Sequence, residues 1–201
     1  MSLPPVVVLA TRNAKKQTEL QRILTAHGIA TEVRSLADFP HYIDDVVESA
    51  PDFEGNALLK ATAAFEALGL PSIADDSGLC VDALNGMPGV LSARWAGTRD
   101  DEDNLNLVLA QLHDVPDERR GAQFVAAVAY VADNAVTLVV RGVMAGRIGR
   151  TPSGSEGFGY DPIFIADGQS ATNAELSPVE KDALSHRGRA LTTLVERFSR
   201  M

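Results

Sequence analysis

The spacing of apolar residues predicts alternating strands and helices in the first third of the chain. A short continuous run of β-branched residues is typical of a strand buried on both faces, and residues 5–10 form such a run. Apolar residues three and four positions apart indicate amphipathic helices, the first of which has Asn13 as a suitable N-cap residue. The predicted elements are a strand at 5–10, a helix between Asn13 and Gly28, a weak strand at 30–36 and a helix at 53–68.

The rest of the pattern is richer in strands. An apolar run reaches Ala74 and stops at Asp75 and Asp76, which predicts a strand that ends at these two carboxylates. Two long apolar runs separated by Asp133 and Asn134 predict a β-hairpin. The further predicted elements are a helix at 102–112, hairpin strands at 122–132 and 136–148, a strand at 163–165 and a final amphipathic helix after Gly188. Strand–helix units followed by a hairpin favour an α/β fold with a mixed sheet.

Composition narrows the class of protein without identifying it. The chain has 201 residues, 45% of them hydrophobic and 22% charged, enough for one domain spanning 1–201, which two lobes can share. A net charge of −9 argues against non-specific binding to a nucleic-acid backbone, because no basic surplus exists to neutralise phosphates. Cys80 is the only cysteine, so an internal disulfide is excluded. Without a signal-like start or a membrane-length apolar segment, the expected location is cytoplasmic.

The stretch from Asp75 to Gly78 is the part of the sequence that folding alone explains least. Aspartate is depleted in strands and adjacent like charges repel, yet Asp75 and Asp76 follow an apolar run directly and precede Ser77. One interpretation is an Asx-type turn, which needs only one Asp or Asn and a glycine. The other is a site for a hard cation and an activated water molecule at the end of the strand.

Two lysines occupy helix positions that suit a phosphate ligand. Lys16 lies in the first turn of the first helix, where the macrodipole disfavours a cation unless an anion lies opposite. Lys60 follows Asn56 by four residues, so the two side chains share one face of the second helix. For each lysine, a solvated surface side chain is the alternative interpretation. The acidic segment at 37–52 is of the kind that usually forms a solvated loop, although one of its carboxylates could reach a metal ion.

A glycine-rich loop with two aromatic residues is the second stretch that folding leaves unexplained. Residues 149–162 contain four glycines and two prolines, and both Phe158 and Tyr160 lie next to glycine. Such aromatics either stack on a planar ligand or fold back into a small satellite core. Hydrogen-bond donors also cluster at 185–187, at a break between two helical segments.

Together these segments resemble one known family. Five motifs are similar, in the same order, to those of the inosine/xanthosine triphosphate pyrophosphatase family, also called Ham1-like or RdgB-like. They are Thr-x-Asn-x-x-Lys at 11–16, Phe-x-x-Asn-Ala at 53–57, Ala-Asp-Asp-Ser-Gly-Leu at 74–79, Phe-Gly-Tyr-Asp-Pro at 158–162 and Ser-His-Arg at 185–187. The resemblance implies a homodimeric α/β protein with a long mixed β-sheet flanked by helices, and two lobes around a central cleft.

The resemblance also implies an activity. The expected reaction is Mg²⁺-dependent hydrolysis of ITP, dITP and XTP to the monophosphate and pyrophosphate, which cleanses the nucleotide pool. Asp76 is expected to act as general base and, with Glu48, to bind Mg²⁺, supported in catalysis by Lys60 and Asp75. Donors aimed at O6 of hypoxanthine or xanthine would be left unpaired by adenine. The residues expected to bind substrate are Thr11, Asn13, Lys16, Ser77, Phe158, Gly159, Tyr160, Asp161, Lys181, His186 and Arg187.

Two assignments stay open, and two rival functions compete with this one. Arg12 stands where many relatives have glycine, so it either narrows the phosphate turn or adds a cation. The alternatives to Glu48 as metal ligand are Asp44, Asp45 and Asp52. The rival functions are a Maf-like pyrophosphatase acting on modified pyrimidine nucleotides and a nucleotide-sensing module without turnover. The Phe-Gly-Tyr-Asp and Ser-His-Arg motifs argue against the first, and the intact Asp-Asp pair argues against the second.

Overall fold

The structure is a computed structural model that describes residues 3–42, 46–133, 136–177, 180–181 and 184–199. Within these ranges the chain forms an α/β fold with one six-stranded sheet and four long helices. In chain order the elements are β1 (Val6–Leu9), α1 (Ala14–Ala26), β2 (Glu32–Ser35), α2 (Phe53–Leu68), β3 (Ser72–Val81), α3 (Asp101–Gln111), β4 (Gly121–Asp133), β5 (Val136–Ile148), β6 (Phe164–Ala166) and α4 (His186–Ser199).

The sheet is mixed, which confirms the prediction from the apolar pattern. Its strands are ordered β2-β1-β3-β4-β5-β6. β1 is parallel to β2, with Val6 opposite Glu32, and parallel to β3, with Val8 opposite Ser72. β5 and β6 are antiparallel. One edge of the sheet has parallel strands connected through helices, which accounts for the alternating strand–helix pattern early in the sequence. The other edge has an antiparallel pair, which accounts for the strand-rich pattern later in the chain.

The chain divides into two compact units, the first of which comprises Met1–Asp76, Ala126–Gly142 and Arg187–Met201. The core of this unit combines strand residues with the apolar faces of α1 and α4. Its buried members include Val7, Ile73, Leu20, Leu24, Leu194 and Val195. Helical spacing therefore identified the buried face of both helices.

The second unit comprises Ser77–Val125 and Val143–His186. Its core joins the apolar face of α3 to the second half of β3 and to aromatic residues of β4 and β6. Arg120 lies inside this unit with 2% of its surface exposed, and its guanidinium group donates to backbone carbonyl oxygens, including those of Leu112 and Gly149. Because a buried guanidinium needs acceptors for its N–H groups, this contact fixes the start of the glycine-rich loop at Gly149.

The prediction that the third strand ends at Asp75 and Asp76 is wrong. β3 is 10 residues long and runs through this point to Val81, so both carboxylates lie in the interior of a strand. Gly78 lies inside this strand and not in an Asx-type turn. A Cβ atom at Gly78 would collide with the side chain of Ser92 and with the backbone carbonyl of Gly89, so glycine allows a close approach here. The strand accommodates the two aspartates because cationic and amide side chains bind them, as described below.

The helix ends follow the predicted capping chemistry. The Asn13 side chain accepts hydrogen bonds from the backbone N–H groups of Lys15 and Lys16 at the start of α1. Gly69 ends α2 in a left-handed conformation with φ of 64°. Asn134, part of the predicted hairpin turn, lies outside the described residues. None of the helices in the described ranges combines the length and the apolar character that crossing a membrane requires.

Candidate active site

Asp76 lies among polar side chains that are far apart in the sequence. Its Oδ1 atom accepts a hydrogen bond from Lys60 Nζ at 2.9 Å, and its Oδ2 atom accepts one from Asn56 Nδ2 at 3.1 Å. The same Lys60 Nζ donates to Glu48 Oε1 at 3.1 Å, so two carboxylates share one ammonium group. Asn56 and Lys60 therefore share one face of α2, as their spacing predicted.

Burial governs the protonation of this group. Only 12% of the Asp76 side chain and 17% of the Lys60 side chain are exposed. Burial raises the pKa of Asp76 above the usual aspartate value, and the charge of Lys60 and the hydrogen bond from Asn56 offset only part of this effect. Burial by itself would lower the pKa of Lys60. The negative charges of Asp76 and Glu48 have the larger combined effect, so the pKa of Lys60 is raised. The result is a carboxylate of increased basicity beside a lysine that stays charged.

Asp75 has different partners, because successive side chains of a strand point to opposite faces. Lys16 Nζ donates to Asp75 Oδ1 at 2.9 Å and to Oδ2 at 2.8 Å, and Arg187 Nε donates to Oδ2 at 3.1 Å. Burial by itself would raise the pKa of Asp75, but Lys16 and Arg187 outweigh it and hold that pKa well below the usual range. We use the term carboxylate–cation cluster for seven residues of the first unit: Lys16, Glu48, Asn56, Lys60, Asp75, Asp76 and Arg187.

Among the acidic-loop candidates for a metal ligand, Glu48 is the one that reaches the cluster. Its side chain is 32% exposed and contacts the ammonium group of Lys60. Asp52 instead accepts a backbone hydrogen bond in the first turn of α2 and serves as its N-cap. Asp44 and Asp45 lie outside the described residues. The geometry therefore favours Glu48 over Asp52.

The turn before α1 holds the other candidates for phosphate binding. Thr11 Oγ1 accepts a hydrogen bond from the backbone N–H of Asn13 at 3.2 Å. Arg12 lies between them, and its guanidinium group donates to the carbonyl oxygens of Leu36 at 3.3 Å and Tyr42 at 2.8 Å. Arg12 therefore ties the turn to the segment after β2, a role that the sequence did not reveal.

In the second unit, Asp161 organises the Phe158 loop, by which we mean residues 149–161. Its Oδ2 atom accepts hydrogen bonds from the backbone N–H of Phe158 at 2.9 Å and from Lys181 Nζ. Its Oδ1 atom accepts one from Asn173 Nδ2 at 3.2 Å. Lys181 Nζ lies 5.3 Å from the centroid of the Phe158 ring, which is within cation–π range. Asp161 thus holds both the loop backbone and the lysine.

The two aromatic residues of this loop have different environments. Phe158 is 68% exposed, whereas Tyr160 is 5% exposed and belongs to the core of the second unit. The Tyr160 hydroxyl donates to the carbonyl oxygen of Ser92 at 2.8 Å, and burial raises its pKa. Between them, the backbone N–H of Gly159 donates to Asp101 at 2.8 Å. The satellite-core interpretation is correct for the Tyr160 ring, and the exposed Phe158 ring suits stacking.

His186 is held by an aromatic contact that the sequence did not reveal. Its ring stacks on Phe124 of β4 with centroids 5.2 Å apart and an interplanar angle of 14°. Phe124 contacts the ring of Phe164 in turn, with centroids 4.6 Å apart. Nothing in the pattern of β4 distinguishes Phe124 from an ordinary core residue. Ser77, the remaining candidate, follows Asp76 in β3 and is partly buried.

The oxygen ligands around Lys60 suit a hard divalent cation. Glu48 and Asp76 supply carboxylate oxygens, the ligand type that Mg²⁺ prefers, and both lie within reach of one ammonium group. In the described part of the chain, no three or more His, Cys, Asp or Glu side chains form a group that could hold a metal ion alone. Mg²⁺ is usually bound by one or two carboxylates together with substrate phosphates and water.

Comparisons with known proteins agree with this fold. The model of the Ham1 family matches residues 7–197. A protein of Nocardia farcinica named dITP/XTP pyrophosphatase is 58% identical over 191 residues, which cover 94% of this chain and 92% of that protein. The crystal structure of a nucleoside-triphosphatase (dITP/XTP pyrophosphatase) from Mycobacterium abscessus is 54% identical, with a TM-score of 0.81, and the match covers 94% of this chain and 97% of that one. The structure of a HAM1 protein from Coxiella burnetii is 38% identical, with a TM-score of 0.90 and coverage of 98% and 100%.

Proposed function

Because the chain belongs to the Ham1 family, we propose that it is a nucleoside-triphosphate pyrophosphatase acting on the deaminated purine nucleotides ITP, dITP and XTP. The products are the nucleoside monophosphate and pyrophosphate, so the enzyme clears these nucleotides from the pool. The observation that carries the proposal is the arrangement of Asp76, a buried carboxylate with a raised pKa, beside Lys60 and Glu48.

In the proposed reaction, a water molecule attacks the α-phosphorus of the substrate. Its oxygen forms a bond to phosphorus, the bond from that phosphorus to the α,β-bridging oxygen breaks, and pyrophosphate leaves with the bonding electrons. Asp76 accepts the proton of the attacking water, a task for which its raised pKa is suited. Lys60 offsets the negative charge that develops on the phosphate oxygens.

Glu48 and Asp76 are the residues that would hold Mg²⁺. When bound, the ion supplies positive charge against the triphosphate. Asn56 orients both carboxylates: its Nδ2 atom donates to Asp76, and its Oδ1 atom accepts from the backbone N–H of Ala50, in the loop that carries Glu48. One buried amide therefore positions the general base and the loop that supplies the second acid.

We assign phosphate binding to Thr11, Asn13 and Lys16, with Ser77 as a further hydroxyl donor. Asn13 Oδ1 caps the backbone N–H groups of Lys15 and Lys16 in the first turn of α1, and the positive end of the helix macrodipole at this turn favours an anion. Lys16 adds a full positive charge at the same turn.

We assign base recognition to Phe158, Lys181, His186 and Arg187, with Asp161 as the group that holds Lys181. The exposed Phe158 ring offers a surface for stacking. The three basic side chains can donate to O6 of hypoxanthine or xanthine. Adenine has an amino group at this position, so it would leave such donors unpaired, which is a strong penalty in a buried site.

A panel of nucleotides tests the proposal. The purified chain is incubated with Mg²⁺ and ITP, XTP, dUTP, GTP or ATP, and pyrophosphate and phosphate are assayed separately. We expect pyrophosphate release that is fastest with ITP and XTP. Release of phosphate would contradict the proposal, a preference for dUTP would favour the Maf-like rival, and binding without turnover would favour a sensing module.

We further propose that the enzyme is a cytoplasmic homodimer that binds neither a nucleic-acid polymer nor a membrane. The likeness to the family supports the homodimer, and the net charge of −9 opposes polyanion binding. Multi-angle light scattering at micromolar concentration measures the mass directly. A monomer under these conditions would contradict the assignment.

A further inference from the structure

We propose that Asp75 is a positioning residue that fixes Lys16 and Arg187 relative to each other, and that it is not a second catalytic carboxylate beside Asp76. The inference rests on the proposed function, in which Lys16 serves the phosphates and Arg187 serves the base. The sequence led us to expect that Asp75 supports catalysis directly. The present proposal assigns it a positioning role instead.

The contacts of Asp75 leave its carboxylate fully engaged. Its side chain is 5% exposed, and it accepts two hydrogen bonds from Lys16 and one from Arg187. Both oxygens are therefore bound by charged donors, with Oδ2 shared between the two cations. Because these donors occupy both oxygens, the carboxylate is placed to orient the two cations relative to each other.

The two cations come from the first turns of two helices. Lys16 lies in the first turn of α1, and Arg187 is the second residue of α4. A cation at a helix N-terminus is opposed by the macrodipole, so each needs a nearby anion. Asp75 supplies that anion to both from the interior of β3. Glu19 of α1, with Oε2 3.8 Å from Arg187, adds a second carboxylate on the other side of the guanidinium group.

The consequence is preorganisation of two flexible side chains. A free lysine or arginine must lose rotamer entropy when it binds substrate, and a fixed salt bridge removes part of that cost beforehand. Because one carboxylate serves both cations, loss of Asp75 should disturb phosphate binding and base selection together. Asp76, with Lys60 and Asn56 as its partners, should have no such double effect.

The melting temperatures of a set of combined variants test the inference. The full-length variants are Asp75→Asn, Lys16→Met/Arg187→Met, and the triple combination. In the wild-type background, Asp75→Asn should lower the melting temperature, because two cations lose their charged acceptor. In the Lys16→Met/Arg187→Met background, the same substitution should raise it, because it neutralises a buried carboxylate that no longer has cationic partners. If Asp75→Asn alone fails to fold, the triple variant should still fold.

Activity toward ITP gives a second, independent readout. Asp75→Asn should lower kcat/KM by about 100-fold in the wild-type background, mainly through KM, and by less than about 3-fold in the Lys16→Met/Arg187→Met background. The ratio of kcat/KM for ITP to that for ATP should fall in Asp75→Asn, and we expect the same fall in a single Arg187→Met variant. A simple loss of stability would not change this ratio. The control is Asp38→Asn, which alters a first-unit carboxylate that binds the backbone N–H of Ser35. It should leave the ratio unchanged.

Any one of three results would overturn the inference. One is an equal loss of kcat/KM on Asp75→Asn in both backgrounds, which would make Asp75 an independent catalytic group. Another is an equal fall in melting temperature in both backgrounds, and the third is a triple variant that does not fold. Absence of ITP hydrolysis by the wild-type chain would refute the proposed function instead, and the comparison of melting temperatures, which needs no substrate, would still decide the role of Asp75.

Discussion

The carboxylate–cation cluster and the Phe158 loop are built in opposite ways. The cluster draws most of its side chains from α1, α2, β3 and α4, and each of its three carboxylates contacts a lysine. The Phe158 loop has an irregular backbone, with positive φ at Gly154, Gly157 and Gly159. Its exposed ring, Phe158, stands beside a buried anchor, Tyr160.

The difference indicates a division of labour. Charges carried on helices and strands are held in fixed positions, which suits groups that must act on a developing transition state. A loop held by hydrogen bonds to one buried carboxylate, Asp161, can shape a recognition surface. We therefore expect changes at Asp76 and its partner Lys60 to lower kcat, and changes in the loop to raise KM and reduce selectivity.

The largest expected effect comes from removing the general base. Asp76→Asn should lower kcat for ITP by about 1,000-fold, within the range that general-base catalysis contributes. Binding of ITP, measured by isothermal titration calorimetry, should change only slightly. Asp167→Asn, an exposed aspartate of the second unit, is the control and should be fully active. A near-normal rate for Asp76→Asn would show that Asp76 is not the base.

The next effect concerns the metal. Glu48→Gln should raise the Mg²⁺ concentration needed for half-maximal velocity by at least about 10-fold. Binding of Mn²⁺ to the protein without nucleotide, followed by electron paramagnetic resonance, should weaken in parallel. Glu54→Gln is the matched control, because Glu54 contacts Arg141 in the same unit and not the cluster. Unchanged Mn²⁺ binding in Glu48→Gln would shift the ligand assignment to another acid.

A glycine substitution tests the loop side of the comparison. Gly157 has a φ of 82°, and a Cβ atom there would collide with the Asp161 carboxylate and the Lys181 ammonium group. Gly157→Ala should raise KM for ITP by about 10-fold, equivalent to about 1.4 kcal/mol of binding, with little change in kcat. Gly168→Ala is the control, because Gly168 has a φ of 81° with no atom within 4 Å of the added Cβ. A fall in kcat with unchanged KM would break the proposed division of labour.

The smallest expected effect is a pH dependence of the stability that Glu175 contributes through its hydrogen bonds, one of which comes from the Phe158 loop. Glu175 accepts hydrogen bonds from the Thr172 backbone N–H and the Ser153 hydroxyl, both at 2.7 Å, and these bonds lower its pKa. A lowered folded-state pKa means that the stabilisation is present above the ordinary glutamate value of about 4.3 and is lost as the pH falls through the folded-state value. Between about pH 5 and about pH 3, the melting temperature of the wild type should therefore fall more than that of Glu175→Gln. Parallel curves for the two proteins would contradict this assignment.

The sequence by itself determined most of the secondary structure and predicted which residues are candidates for the reactive groups. Periodicity located α1 and α2, and Asn13 caps α1 as predicted. The shared face of Asn56 and Lys60 followed from helix geometry alone, and both side chains bind Asp76. These features depend on neighbours within a few residues, which is the range over which sequence patterns are informative.

Only the tertiary structure decided how these residues are paired. The continuation of β3 through its two aspartates depends on Lys16, Lys60 and Arg187, which come from three different helices. Two adjacent aspartates look equivalent in the sequence, but the alternation of side chains along a strand gives them separate sets of partners. The hydrogen bonds from Arg12 to two backbone carbonyl oxygens and the stacking of His186 on Phe124 are likewise long-range contacts. A local pattern cannot encode such contacts, because each depends on which distant segment the fold brings alongside.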